Sequence, residues 1–224
     1  MSSLALPPTL PPTVRVSAIA IAILGGVVAA IGLALQVEAV EDLPQPFEGA
    51  TGGQLIVVAM RLVVPLLILR WALLGGVLAL VADALDVVIV EFFGPGGMGP
   101  HYAQLDRALD TYYLAIEALV AWWWTNPWAR NVALFLFAYR AVGFVLFPLT
   151  EARALLFVFP NVFENWWLYC LIVARFWPSL VPHSWRSTLI PLALLLVPKL
   201  AQEYVHHVRE AQPWNWFKVN VLER

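Results

Sequence analysis

Asp83 and Asp86 stand three residues apart inside the apolar run Leu80–Val88, and Asp106 and Asp110 stand four apart on the next hydrophobic segment. Residues three or four apart share one face of a helix, so each pair presents two carboxylates side by side. Tyr113 and Glu117 continue the Asp106–Asp110 stripe at the same spacing. A short loop between the two segments makes them antiparallel neighbours, whose acidic faces converge at one end. Four converging carboxylates repel one another unless a cation neutralises them. Oxygen ligands without Cys or clustered His favour a hard ion such as Mg²⁺, Mn²⁺ or Ca²⁺. Ordinary ion pairs satisfy the same charges equally well. Arg61, Arg70, Arg107, Arg140 and Arg153 are available as partners, and Asp110–Arg140 is one concrete pairing.

A second polar group lies in Phe159-Pro-Asn-Val-Phe-Glu-Asn-Trp-Trp167. Pro160 cannot donate to the preceding turn and frees a carbonyl there. Asn161, Glu164 and Asn165 then fall on one polar face of an aromatic helix. Such a face can bind a cation, a lipid headgroup or a small polar solute, or it can make hydrogen bonds between helices. Arg140, between apolar residues, is a natural countercharge for Glu164 or Asp110, and Glu117 continues the polar path.

The acidic pattern resembles that of the CDP-alcohol phosphotransferases, whose motif is DxxDGxxAR, eight residues, then GxxxDxxxD. Asp83, Asp86, Asp106 and Asp110 match its aspartates, and Arg61-Leu-Val-Val-Pro65 is similar to the Arg and Pro of the family's preceding helix. The resemblance covers the segment from Arg61 to Asp110. It implies a divalent metal, Mg²⁺ or Mn²⁺, held by the four aspartates, with Asp110 as the base that activates an acceptor hydroxyl of a lipid substrate. Val87 stands where the family has Gly, Val90 and Glu91 where it has Ala-Arg, and Tyr102 where the second motif begins with Gly. The gap between Asp86 and Asp106 is also two residues longer than the pattern. Those positions bring the nucleotide close to the backbone and its phosphates close to a cation, and Glu91 reverses that charge.

The elements that must position these groups are membrane helices. The chain has 224 residues, 61% hydrophobic and 12% charged, with a mean hydropathy of +0.77. A soluble domain is about 25% charged. A domain of this size leaves too much surface in water to hide the apolar excess. Soluble enzymes and disordered chains are excluded, and a net charge of −2 gives no field for nucleic acid. The expected fold is an all-α, polytopic integral membrane bundle of six or seven helices over residues 16–200. A Pro-rich arm (1–15) precedes it and an amphipathic, interfacial tail (201–224) follows. Membrane lipids are the expected partners, with other membrane subunits, in a plasma or inner cell membrane.

Val16–Leu35 carries no charge across twenty residues, long enough for a hydrocarbon core of about 30 Å. Gly25, Gly26, Ala29 and Ala30 suit close helix packing. After an acidic, turn-rich loop (36–53), the apolar stretch 54–93 is twice the length one span needs, so a break is expected near Arg70–Trp71 or Gly75–Gly76. A Gly/Pro loop (94–100) precedes spans at 108–124, 131–150 and 154–174, and a shorter stretch, 188–200, is interrupted by Pro191 and Pro198. Trp122–Trp124 and Trp128 mark an interfacial belt. His206 and His207 point apart on a helix and read as a solvated pair, while His101 and His183 fall in loops. The single Cys170 allows neither a disulfide nor a Cys-based zinc site. Three functional classes fit: a non-catalytic binding, transport or membrane-complex subunit, a divergent metal-dependent CDP-alcohol phosphotransferase-like lipid enzyme, and a purely structural subunit.

Overall fold

The computed structural model describes Leu4 and residues 10–35, 50–93, 102–150 and 154–204. Most of the Pro-rich arm and of the acidic loop, the Gly/Pro loop with His101, the Glu91 side chain, Arg153, and the tail beyond Tyr204 with His206 and His207 lie outside them. The described residues are helical throughout: α1 (Pro12–Leu35), α2 (Gly52–Val63), α3 (Ala72–Phe93), α4 (Tyr102–Trp122), α5 (Pro127–Thr150), the single turn α6 (Ala154–Val158), α7 (Val162–Phe176) and α8 (Trp185–Glu203). Four are long and apolar enough to cross a membrane, over Pro12–Ala34, Gly52–Leu69, Ala72–Val90 and Pro127–Leu146. α4 falls outside that set because Asp106, Arg107, Asp110 and Glu117 interrupt its hydropathy, and α7 because it has only 15 residues.

The chain forms two compact units, Leu4–Trp124 and 125–224. In the first, α1 runs antiparallel to α2, and glycine makes that contact. A Cβ on Gly32 would come within 2.8 Å of the Gly52 carbonyl oxygen and 3.0 Å of the Leu55 Cβ, and one on Gly25 would strike the Val63 side chain. Gly26 meets nothing within 4 Å, so the packing face is Gly25/Gly32 rather than the Gly25–Gly26 pair. The rest of α1 presents apolar side chains such as Val16, Ile19 and Ile23 outward, as a lipid-facing helix does.

α2 begins at a capping box. The Thr51 hydroxyl accepts from the Gln54 N–H at 3.3 Å, and the Gln54 side chain accepts from the Thr51 N–H. At Pro65 the helix tightens into a 3₁₀ segment, Val64–Leu69. Proline cannot close the step onto the Leu62 carbonyl, and the Tyr112 hydroxyl of α4 donates to that carbonyl at 2.8 Å. The chain then turns at Arg70–Trp71, and Gly75 lets α3 return against the backbone of Leu67 and Ile68. The break in the 54–93 stretch thus sits where the sequence locates one.

In the second unit, the Asn126 side chain caps α5 by accepting from the N–H groups of Trp128 (2.9 Å) and Ala129 (3.2 Å), with Pro127 at the first helical position. Pro160 separates α6 from α7. The aromatic core is Phe163, Trp166 and Trp167, all wholly buried. The Trp166 indole donates to the Ala129 carbonyl at 3.1 Å, and Phe163 meets Phe137 edge-on at 5.4 Å. α8 continues through Glu203, three residues into the segment read as tail.

Candidate functional site

Arg61 is the centre of the first unit's chemistry. It lies near the middle of the 18-residue span Gly52–Leu69 and is 4% exposed. Nη1 of its guanidinium faces Asp86 at 2.7 Å and Asp106, and Nη2 faces Asp83 at 2.8 Å and Asp110. Each terminal nitrogen carries two protons and serves two carboxylates, so one planar fork ties α2 to both α3 and α4. The carboxylates are not equivalent. Asp86 forms the floor at 5% side-chain exposure, whereas Asp83, Asp106 and Asp110 are 46%, 38% and 35% exposed. The cluster is a cup, closed beneath by Arg61 and Asp86 and open at a rim of three acids.

All four sequence-predicted aspartates therefore meet, but by a different route from the one expected. α3 and α4 touch each other only lightly. Both pack mainly against α2 and its 3₁₀ continuation, so their acidic faces converge on a residue of a third helix rather than directly on each other. The reason is Pro65. The tightened segment after it lies against α3 through Gly75, and the carbonyl it frees anchors α4 through Tyr112. Arg61 was legible as one of several candidate partners. Tyr112 was missed, and its only signal was its place next to the Tyr113–Glu117 stripe. On that stripe, Tyr113 is buried, and Glu117 is wholly buried two turns beyond Asp110.

The rim has the dimensions of a metal site. Asp83, Asp106 and Asp110 each offer an oxygen, and the three oxygens lie within 4.8 Å of one another. Ligand oxygens at about 2.0–2.6 Å from a common Mg²⁺ or Ca²⁺ are separated by no more than about twice that distance. The donor set is all carboxylate, as a hard divalent cation prefers. Within the five residues, one positive and four negative charges leave −3 when every acid is ionised. The residues present thus fit a divalent cation at the rim, and they would supply it with three anionic oxygens and an arginine-held floor.

No protein-family model, curated protein or solved structure matches this chain. Its chemistry has to be read from its own geometry.

The second polar group centres on Asn161, in the unit 125–224. The Asn161 side chain donates to Glu164 at 3.0 Å, and the Asn161 backbone N–H donates to Glu203 at 3.4 Å. Glu203 in turn pairs with Lys199 at 3.2 Å. Arg140 donates to the Phe159 carbonyl, in the turn that Pro160 interrupts, at 2.6 Å and lies 4.6 Å from the centre of the Phe144 ring. Asp110, the partner considered for Arg140, is engaged by Arg61. The side-chain oxygens of Asn161 and Asn165 are buried with no hydrogen-bond partner among the described residues. Sequence reasoning placed Glu203 in an interfacial tail. The structure buries it, and the available signal was its i,i+4 spacing from Lys199.

Proposed function

We propose that this chain is a multi-pass integral membrane protein whose Arg61 centre binds a divalent cation, Mg²⁺ or Mn²⁺, at the rim formed by Asp83, Asp106 and Asp110. α4 and α7, with or without the proline-interrupted α8, join the four long apolar helices in the bilayer, for six or seven spans, in a plasma or inner cell membrane. Its role is that of a binding, transport or membrane-complex subunit rather than a catalyst, with lipids and other membrane subunits as partners. The observation that carries this reading is the rim itself, three partly exposed carboxylates whose oxygens lie within 4.8 Å of one another. A single guanidinium is shared by four carboxylates, three of them open at metal-ligand separations. Ionised groups at membrane depth cost about 2.5–3.5 kcal/mol each on insertion scales. Three acids grouped at an open rim are therefore an expensive way to brace helices, whereas a bound divalent ion offsets two of their charges.

Titration of the detergent-solubilised protein with Mn²⁺, followed by the loss of the free-ion electron paramagnetic resonance signal, tests this. One Mn²⁺ per chain is expected for the native protein and none for Asp106→Asn/Asp110→Asn. If the native protein leaves all Mn²⁺ free, the proposal fails.

A second reading has its own support in the meeting of both aspartate pairs, the arrangement that the resemblance to CDP-alcohol phosphotransferases implies. There the cation would bind the diphosphate, and Asp110, on the open rim, would take the proton of the acceptor hydroxyl. Release of CMP from a CDP-alcohol lipid in the presence of Mn²⁺, abolished in Asp110→Asn, is the expected result. No CMP above the protein-free blank eliminates catalysis while leaving cation binding intact.

A further inference from the structure

A groove of about 240 Å³ opens on the first unit, away from the aspartates, where the first turns of α1 pass the 3₁₀ segment and the last turns of α4. Its walls include Ala18, Ile21, Leu66, Leu69, Ile116 and Leu119. The volume lies below the roughly 300–1,000 Å³ of small-molecule pockets, so it suits a single chain better than a bulky cofactor. Two hydroxyls, of Thr13 and Ser17, lie on the α1 wall.

The groove ends at headgroup level. Arg15 sits in the first turn of the span that starts at Pro12, and Arg70 follows directly on the span that ends at Leu69. Trp71 and Trp122, 53% and 65% exposed, stand at the same helix ends, as aromatic residues do at a membrane boundary. Both arginines are exposed, and neither has a carboxylate partner among the described residues. Arg15 donates to the Leu10 carbonyl at 3.0 Å, and the Arg70 guanidinium lies 5.8 Å from the centre of the Trp71 ring. Arg15 and Arg70 follow the groove residues Val14 and Leu69 in sequence, so two exposed cations without a carboxylate partner among the described residues stand near one end of the apolar slot.

We propose that this groove seats one acyl chain of an anionic glycerophospholipid, whose phosphate lies between Arg15 and Arg70. A phosphate is the group that these cations complement, and guanidinium forks bind it in a bidentate manner. A zwitterionic lipid would fill the same groove but would gain less from the two arginines. The site is separate from the Arg61 centre and does not depend on what that centre binds.

Native mass spectrometry of the full chain in detergent, offered equimolar phosphatidylglycerol and phosphatidylcholine with the same acyl chains, tests the assignment. Each arginine near the headgroups favours the anionic lipid by about fivefold. The native protein should retain phosphatidylglycerol preferentially, and Arg15→Gln/Arg70→Gln should retain the two lipids equally. Ser17→Trp, at an exposed position on the groove wall, should lower retention of both lipids. Arg175→Gln, an exposed arginine of the second unit, should keep the native preference. Equal retention by the native protein overturns the proposal, as does a preference that survives in the double variant. Native retention by Ser17→Trp, or loss of the preference in Arg175→Gln, overturns it as well.

Discussion

The chain's two polar centres solve the problem of charge among apolar helices in opposite ways. In Leu4–Trp124 one guanidinium faces four carboxylates, three of them open. In 125–224 the charged members are Arg140 and Lys199 with Glu164 and Glu203, two of each sign, and Asn161 bridges the two glutamates. Counted over those four residues, the second arrangement carries no net formal charge. The first, over its five residues, carries three more carboxylates than cations, and the proposed divalent ion would offset two of those charges. Charge balance, more than the number of polar residues, separates a structural cluster from a centre with something left to bind.

The largest effect should come from removing the hub. Arg61→Leu leaves Asp86 buried without its guanidinium and four acids facing one another. Breaking a buried ion pair costs about 3–5 kcal/mol, which lowers the melting temperature of a chain this size by roughly 6–20 °C. Glu203→Gln in the second centre keeps an acceptor for the Asn161 N–H but gives up the charge that pairs with the partly exposed Lys199, and should cost less, about 1.5–3 kcal/mol. Thermal unfolding followed by tryptophan fluorescence in detergent measures both. Adding Asp86→Asn to Arg61→Leu should recover part of the loss, because the cost lies in the stranded carboxylate. If Arg61→Leu is no worse than Glu203→Gln, the contrast between the centres disappears.

The parts of this design that could be read from the sequence were those with a local period. The i,i+3 and i,i+4 spacings placed Asp83 with Asp86 and Asp106 with Asp110, and the all-helical, membrane-spanning character followed from hydropathy. A break near Arg70–Trp71 or Gly75–Gly76 followed from length, since 40 apolar residues cannot form one span, and the structure places it at the first of these. What periodicity does not encode is which helix lies between which. The wedge of α2 between α3 and α4 depends on Pro65 and Gly75, whose effects appear only when the 3₁₀ segment is packed. Arg61 was therefore one candidate among five arginines. The partner of Glu203 was not legible for a related reason, because the backbone N–H that it accepts from, at Asn161, is 42 residues away. Gly26 looked equivalent to Gly25 until α2 was set against only one of them.

A smaller and more selective effect is expected from metal. Saturation at about 100 times the dissociation constant contributes about 2.7 kcal/mol to a protein that binds only when folded, a rise in melting temperature of roughly 5–10 °C. Mn²⁺ should produce this rise in the native protein and in Glu164→Gln, but not in Asp106→Asn/Asp110→Asn. Loss of the rise in Glu164→Gln would assign the cation to the wrong centre. An equal rise in all three proteins would mean that Mn²⁺ acts on the surface at large.

The smallest change should be at Asn165. Its side-chain oxygen is buried with no hydrogen-bond partner among the described residues, and an unsatisfied acceptor costs about 1–3 kcal/mol, whereas an apolar replacement of similar size restores that loss. Asn165→Leu should therefore be neutral or raise the melting temperature by up to about 3 °C, after allowance for imperfect fit against Trp166. That outcome is what a self-balanced, structural centre allows, since the neutral amide is not among its counted charges. A fall of several degrees would instead mean that the Asn165 oxygen holds a ligand or a water. The second centre would then also have something left to bind, and charge balance alone would not distinguish the two.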